Sequence, residues 1–301
     1  MEKLKVAVVG YGNIGRYAVE AILEAEDMEL IGVVRRIESA KNKPAELKDV
    51  KIVSNIDELG KVDVAILCGP TRTIPEVAKE IVSKGICPVD SYDIHGDSLW
   101  TLRQALDAEC KKKNVASIIS SGWDPGSDSV VRTLMLAMAP KGVTYTNFGP
   151  GMSMGHSVAA KSKKGVKDAL SMTIPTGTGV HRRMVYVELE KDGKFEEVEK
   201  AIKTDDYFAK DHTVVTQVSS VDALKDMGHT THIERKGVSG KTQNQRFEFK
   251  MSINNPALTA QIMISCARAV AKQQPGCYTM PEIAPMDMIY GDREILVKAL
   301  V

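Results

Sequence analysis

The sequence predicts an α/β fold: a doubly wound parallel sheet, followed by an α+β domain built on a largely antiparallel sheet. Three observations carry this. Strand-like and helix-like segments alternate from Leu4 to Ser120. A Gly-x-Gly-x-x-Gly hexapeptide lies between the first strand and the first helix. After Gly122 come longer runs of β-branched and aromatic residues.

Leu4–Val9 is a short apolar run with three valines and reads as the first strand. From Asn13 to Ala25 the apolar residues Ile14, Ala18, Ala21 and Ile22 recur at helical spacing. Met28–Val34 and Val62–Cys68 are further strands, with a weaker candidate at Lys51–Val53. A helix over about Ile74–Lys84 leads to the strand Cys87–Val89, and a helix over about Asp97–Lys113 leads to Val115–Ser120. Beyond Gly122 the pattern predicts a helix at Ser127–Met138 and strands at Val143–Phe148, Ala169–Ile174, Arg183–Leu189, Val214–Val221, Ile233–Val238 and Arg246–Ile253. Pro256–Lys272 reads as a helix with Pro in its first turn. The expected domains are 1–121 with 257–301, the last helix returning to the first domain, and 122–256 between them.

Composition narrows the function classes. The 301 residues are 43% hydrophobic and 26% charged, with 40 Lys and Arg against 39 Asp and Glu. At ~150 residues per domain this length allows two domains. A net charge of +1 argues against nucleic acid as a partner, since phosphate contacts need clustered basic residues. No apolar run approaches the roughly 20 residues of a membrane-spanning helix, and the first ten residues lack the pattern of a secretory signal. Cys68, Cys87, Cys110, Cys266 and Cys277 are odd in number and never spaced C-x-x-C, so reduced thiols and a cytoplasmic location are expected. His229 and His232 are three apart with no third ligand in the pattern, so no metal is expected. The basic stretch Lys161–Lys167 reads as a solvated helix face.

The hexapeptide Gly10-Tyr11-Gly12-Asn13-Ile14-Gly15 follows a strand and opens a helix, which is the context of a Rossmann-type dinucleotide site. Gly10 permits the turn, Gly12 admits the pyrophosphate to the backbone, and Gly15 lets helix and strand pack closely. The helix amides and dipole then face the phosphates. At the end of the second strand, where an acidic residue would bind the ribose diol of NAD, the sequence has Val34-Arg35-Arg36. Two guanidinium groups suit a 2′-phosphate, so NADP is the expected cofactor. Two polar clusters fall at later strand ends: Asp90-Ser91-Tyr92-Asp93-Ile94-His95-Gly96-Asp97 and Ser121-Gly122-Trp123-Asp124-Pro125-Gly126. Carboxylates from two such loops can hold an ammonium group or a proton in transit. Asp97 alone also suits a helix cap, and Asp124-Pro125-Gly126 is ordinary turn chemistry. Trp123 reads as a substrate wall more readily than as core.

Several segments resemble the meso-diaminopimelate D-dehydrogenases. They are Val-Gly-Tyr-Gly-Asn-Ile-Gly-Arg at 9–16, Val-Asp-Ser-Tyr-Asp at 89–93, Ser-Gly-Trp-Asp-Pro-Gly at 121–126, Phe-Gly-Pro-Gly-Met-Ser-Met-Gly-His at 148–156, His-Arg-Arg at 181–183, Met-Gly-His at 227–229 and Asn-Pro at 255–256. The resemblance spans essentially the whole chain. It implies reversible, NADP-dependent oxidative deamination of the D-centre of meso-2,6-diaminopimelate in a cytoplasmic homodimer of lysine biosynthesis. It places cofactor contacts at Tyr11–Ile14, Val34–Arg36, Cys68, Gly69, Pro70 and Thr71, Ser91, Tyr92 and Asp93, and Ser121–Pro125. Substrate contacts fall on Asp93, Asp97, Trp123, Asp124, Phe148, Met152, Ser153, Met154, Gly155, Thr173, Arg183, His229 and Asn255. Phe148 stands where many relatives have Trp, and the link from Thr173 to His181 is short. Both features resemble the subgroup that aminates other 2-keto acids.

A substrate with two zwitterionic ends needs one end held while the other reacts. Asp93 and Asp124, with Asp97 nearby, are expected to hold the reacting amino group. Arg183, with Thr173, His229 and Asn255, is expected to grip the distal carboxylate through a bidentate contact. The alternatives are another NADP-linked reductase of the same build, dihydrodipicolinate reductase-like or a semialdehyde reductase with a nucleophilic Cys, and a dinucleotide sensor without turnover.

Overall fold

The computed structural model describes residues 2–36, 38 and 43–301. The chain forms two compact units, Met1–Val131 with Pro256–Val301, and Arg132–Asn255. The boundary therefore falls inside the helix α4 (Ser127–Met138) and not at residue 122, so the whole Ser121–Gly126 turn stays with the first unit.

The first unit carries a seven-stranded parallel sheet. Its strands are β1 (Leu4–Val9), β2 (Met28–Val34), β3 (Ile52–Val53), β4 (Val64–Leu67), β5 (Cys87–Asp90), β6 (Ala116–Ile118) and β13 (Gly276–Tyr278), in the order β13-β6-β5-β4-β1-β2-β3. The central strands are buried on both faces, which is why they read as unbroken apolar runs. Val6 and Val8 of β1 point into one core, with Ala18 and Ile22 of α1 (Asn13–Leu23) and Ala260, Met263, Ile264 and Ala267 of α7 (Asn255–Val270). Ala7 points into the other, with Ala78 and Ile81 of α2 (Ile74–Ser83) and Leu102 and Leu106 of α3 (Asp97–Lys113). Arg268 on α7 clamps Asp27 through two hydrogen bonds of 2.7 and 2.9 Å. Strand order reverses between β1 and β4, so the loops after these two strands flank the crevice where such sheets bind ligands. Strand β13 has no counterpart among the sequence expectations.

The second unit is a six-stranded sheet in the order β10-β9-β8-β7-β11-β12: β7 (Lys141–Met152), β8 (Val166–Gly177), β9 (Val180–Leu189), β10 (His212–Gln217), β11 (Gly228–Ser239) and β12 (Thr242–Asn254). All neighbours are antiparallel except β10, which runs parallel to β9 and ends earlier than the Val214–Val221 expected. Helices α5 (Met154–Lys161) and α6 (Phe195–Lys203) contribute Ala160, Val198 and Ile202 to a core with Val185 and Val187. The short link from Thr173 to His181 is a tight hairpin whose central residues, Thr178 and Gly179, both have positive φ, as such a turn requires. The basic stretch from Lys161 is not one helix face. The helix ends at Lys161, β8 begins at Val166, and Lys161, Lys163 and Lys167 pair separately with Asp168, Asp205 and Glu188.

Candidate functional site

In the first unit, β1 runs into the glycine turn and α1 rises from it with Gly12 at its N-cap and no side chain capping that end. Gly10 has φ of +98°. A Cβ at Gly15 would stand 2.2 Å from the carbonyl oxygen of Gly10, so only glycine lets helix and turn pack this closely. A Cβ at Gly12 would meet nothing within 4 Å. Gly12 is therefore dispensable for packing and leaves an open cradle over the helix N-terminus, which fits a pyrophosphate. Replacing Gly15 by alanine is expected to abolish folding, while Gly12→Ala leaves the melting temperature within about 2 °C and weakens cofactor binding. Thermal melts and fluorescence titration with NADPH check both.

Arg35 and Arg36 leave the end of β2, Arg35 half-buried with its guanidinium 5.4 Å over the Tyr11 ring and Arg36 exposed. The two cations flank the hexapeptide because Gly10 donates its N–H to Val34 across the sheet. The Tyr11 hydroxyl approaches Glu46, and burial with that carboxylate raises its pKa. Beyond β4, Cys68 carries the backbone against which Gly10 packs, and Gly69, Pro70 and Thr71 continue the loop on the other side of the switch point.

The two carboxylate loops follow β5 and β6. Asp93 and Asp97 are exposed and Asp124 is half-buried. Asp97 is the first residue of α3, whose N-cap is Gly96, so its side chain does not cap the helix. The loops meet where a Cβ on Gly122 would lie 3.5 Å from that of Ser91. The second loop closes on itself, with Gly122 donating to the Pro125 carbonyl (3.1 Å) and Asp128 to that of Trp123 (2.9 Å). Two of the expected contact residues have largely buried rings. Tyr92 is 5% exposed and packs into the α2–α3 core. Trp123 is 8% exposed. Sequence reasoning also passed over Asp90, which is fully buried between the loops.

In the second unit, strand register lines up the residues that the sequence scatters. His229 of β11 faces Gly151 of β7, Gly151 faces Thr173 of β8, Thr173 faces Arg183 of β9, and Arg183 faces Thr213 of β10. Directly paired residues share a face, so His229, Thr173 and Arg183 form one polar row. The Arg183 guanidinium does not stand ready as an open fork. Its Nε donates to Asp211 (2.6 Å) and its Nη1 to the Thr173 hydroxyl. Nη2 has no hydrogen bond among the described residues, so this already oriented cation keeps one donor edge uncommitted. Ser153 caps α5 by position, with its hydroxyl 2.8 Å from Nδ1 of His156, and Met152, Met154 and Gly155 flank it. Phe148 donates its backbone N–H to Nε2 of His181, and its ring lies 5.4 Å from that ring at a tilt of 38°. Asn255 opens α7 and donates its N–H to Met227.

Burial keeps His156, His181 and His229 neutral at pH 7. His156 and His229 are held down to about 4, chiefly by desolvation, with Arg183 adding to it, and His181 is lowered by the same causes. Arg183 is thus the cation of the row. His229 and His232 lie on opposite faces of β11, and it is His232 that approaches Glu234 and Glu248. Arg246 bridges those two carboxylates at 2.9 and 2.7 Å, which accounts for the trio as an ion-pair cluster. All five cysteine thiols are pushed up by burial, Cys68, Cys110 and Cys266 to about 12, so none is a thiolate nucleophile at neutral pH.

Comparison with known proteins follows this division. Residues 4–89 match the oxidoreductase family with an NAD-binding Rossmann fold, and residues 122–182 match the diaminopimelic acid dehydrogenase C-terminal domain. The chain is 62% identical over 301 residues to the meso-diaminopimelate D-dehydrogenase of Bacteroides fragilis, covering 100% of both. Among solved structures it resembles C. glutamicum DAP dehydrogenase in complex with DAP, with a TM-score of 0.90 at 28% identity over 100% of both chains. It also resembles an engineered D-amino acid dehydrogenase bound to NADP+, with a TM-score of 0.86 at 27% identity over 99% of this chain and 100% of that one. No helix among the described residues is long and apolar enough to cross a membrane. Full-length identity of this order, on a Rossmann unit joined to a second sheet, places the chain in the meso-diaminopimelate D-dehydrogenase family.

Proposed function

We propose that the protein catalyses the reversible, NADP-dependent oxidative deamination of the D-centre of meso-2,6-diaminopimelate, giving L-2-amino-6-oxopimelate, ammonia and NADPH. The observation that carries this is the full-length identity to a dehydrogenase named for that reaction. The open Gly12 cradle and the Arg35–Arg36 pair support NADP as the dinucleotide, as does the NADP+-bound structural relative. Bound NADP supplies a hydride acceptor at C4 of its nicotinamide.

The chain's own residues hold the substrate and manage protons. Asp93 and Asp124 bind the reacting amino group and Asp97 adds negative charge nearby, which favours an ammonium guest. The amine must lose a proton before its lone pair can support hydride departure, and Asp124, half-buried in a turn closed by its own backbone bonds, is placed to take it. Loss of hydride leaves an imine; water adds to its carbon, and ammonia leaves as the carbonyl forms. Arg183, steered by Asp211 and Thr173, takes the distal carboxylate, with His229 and Asn255 beside the L-amino end. Neutral His229 can accept from that ammonium without repelling it. Binding energy at the unreactive end thus orients the reactive one.

Mixing protein, NADP and the meso, D,D or L,L isomer at alkaline pH and following NADPH absorbance tests this. Turnover is expected for meso-diaminopimelate and none for the L,L isomer; equal rates with all three, or none with any, would refute it. Phe148 in place of Trp supports a wider range of D-amino acids in the same assay. A cytoplasmic homodimer completes the proposal. The exposed apolar run Leu134, Leu136, Met138, Val143 and Tyr145 in the second unit supports self-association.

A further inference from the structure

We propose that Asp90 is a positioning residue: it ties the two carboxylate-bearing loops to one strand end, and so fixes where Asp93 and Asp124 stand. Resting on the proposed function, this adds a residue that touches neither substrate nor cofactor. Asp90 ends β5 and is fully buried. Its Oδ1 accepts N–H groups from both sides, Tyr92 at 2.9 Å in the first loop and Ser120 at 3.0 Å at the entrance to the second. Its carbonyl oxygen accepts twice more from the second loop, the N–H of Ser121 at 2.8 Å and the Ser121 hydroxyl at 2.7 Å. Ser120 itself adopts φ of +54°, a conformation that a non-glycine residue keeps only when its surroundings hold it.

The arrangement is costly. Oδ2 of Asp90 is buried with no hydrogen-bond partner among the described residues, beside a sheet end where the Ser117 and Ser120 hydroxyls are likewise unpartnered. Desolvation pushes the carboxyl up to about 6, against the two amide bonds that favour its anion. A half-satisfied buried carboxyl is a poor stabiliser. What it uniquely supplies is one acceptor atom shared by two loops, the donor of the first lying next to Asp93 and that of the second four residues before Asp124. The asparagine isostere keeps that acceptor, whereas alanine leaves two buried N–H groups without one.

The test compares Asp90→Ala and Asp90→Asn with the wild type at a temperature where melts show all three folded. Steady-state kinetics with meso-diaminopimelate and NADP is read beside hydrogen exchange of residues 91–97 and 119–126. Expected is a fall in kcat of roughly thirtyfold or more for Asp90→Ala, with faster exchange in both segments. Asp90→Asn should restore kcat to within about threefold of wild type and restore protection. Unchanged kcat in Asp90→Ala, failure of Asp90→Asn to rescue it, or lost activity with exchange unchanged in either segment would overturn the proposal. A wild type without turnover refutes the assigned reaction instead, and the loop tie then stands or falls on the exchange rates alone.

Discussion

Arg183→Ala lowers kcat/KM for meso-diaminopimelate by about a hundredfold or more, with little change in NADP affinity. A charge-assisted bond to a half-buried cation is worth about 2–3 kcal/mol, and 1.36 kcal/mol is a factor of ten. The cation sits where β8, β9 and β10 pair, in a different unit from the dinucleotide turn. Because Nε is committed to Asp211, the alanine variant also leaves that carboxylate without its partner. A double-mutant cycle with Asp211→Ala separates the two effects: if Asp211 acts by steering the guanidinium, its own loss costs KM, and costs nothing further once Arg183 is gone. Arg183→Lys restores charge without the fork and should recover only part of the loss. Equal losses of diaminopimelate turnover and NADP affinity in Arg183→Ala would remove the residue from its assigned role.

The paired change Arg35→Ala and Arg36→Ala raises the dissociation constant of NADP by roughly a hundredfold while moving that of NAD less than about threefold. Arg35 already rests on the Tyr11 ring, so its guanidinium is ordered before any phosphate arrives, and Arg36 supplies a second, exposed cation. Much of the phosphate's attraction is coulombic, so the wild-type preference for NADP should shrink as salt rises and that of the variant should not. Calorimetric titration with both dinucleotides at two salt concentrations reads both effects. An intact preference in the double variant would place the 2′-phosphate elsewhere.

The legible parts of this molecule were those fixed by local pattern. β1 and β2 occupy the residues their valine-rich runs predict, and the glycine turn lies where its spacing puts it. What stayed hidden depends on neighbours distant in sequence. β13 is three residues long and is a strand only because β6 offers it an edge. The burial of Tyr92 could not be read from a polar loop, since α2 and α3 supply the pocket. The Arg183–Asp211 pair joins residues on either side of α6, brought together by a parallel β9–β10 pairing that the alternating pattern gave no reason to expect. Asp90 looked like one more turn residue because its partners are backbone amides, which carry no signature in the sequence.

The placement of α7 and β13 has a consequence for biogenesis. Ala260, Met263, Ile264, Ala267 and Val270 fill the same core as Val6, Val8, Val33 and Ile66, so the earliest-made strands cannot fully bury that face until this late helix emerges. Residues 132–255 contain all six strands of their own sheet and need no such wait. During translation the inserted unit can therefore mature while the nucleotide-binding half remains exposed on one side, and a nascent chain stalled before Pro256 would display an apolar surface to chaperones rather than a finished sheet.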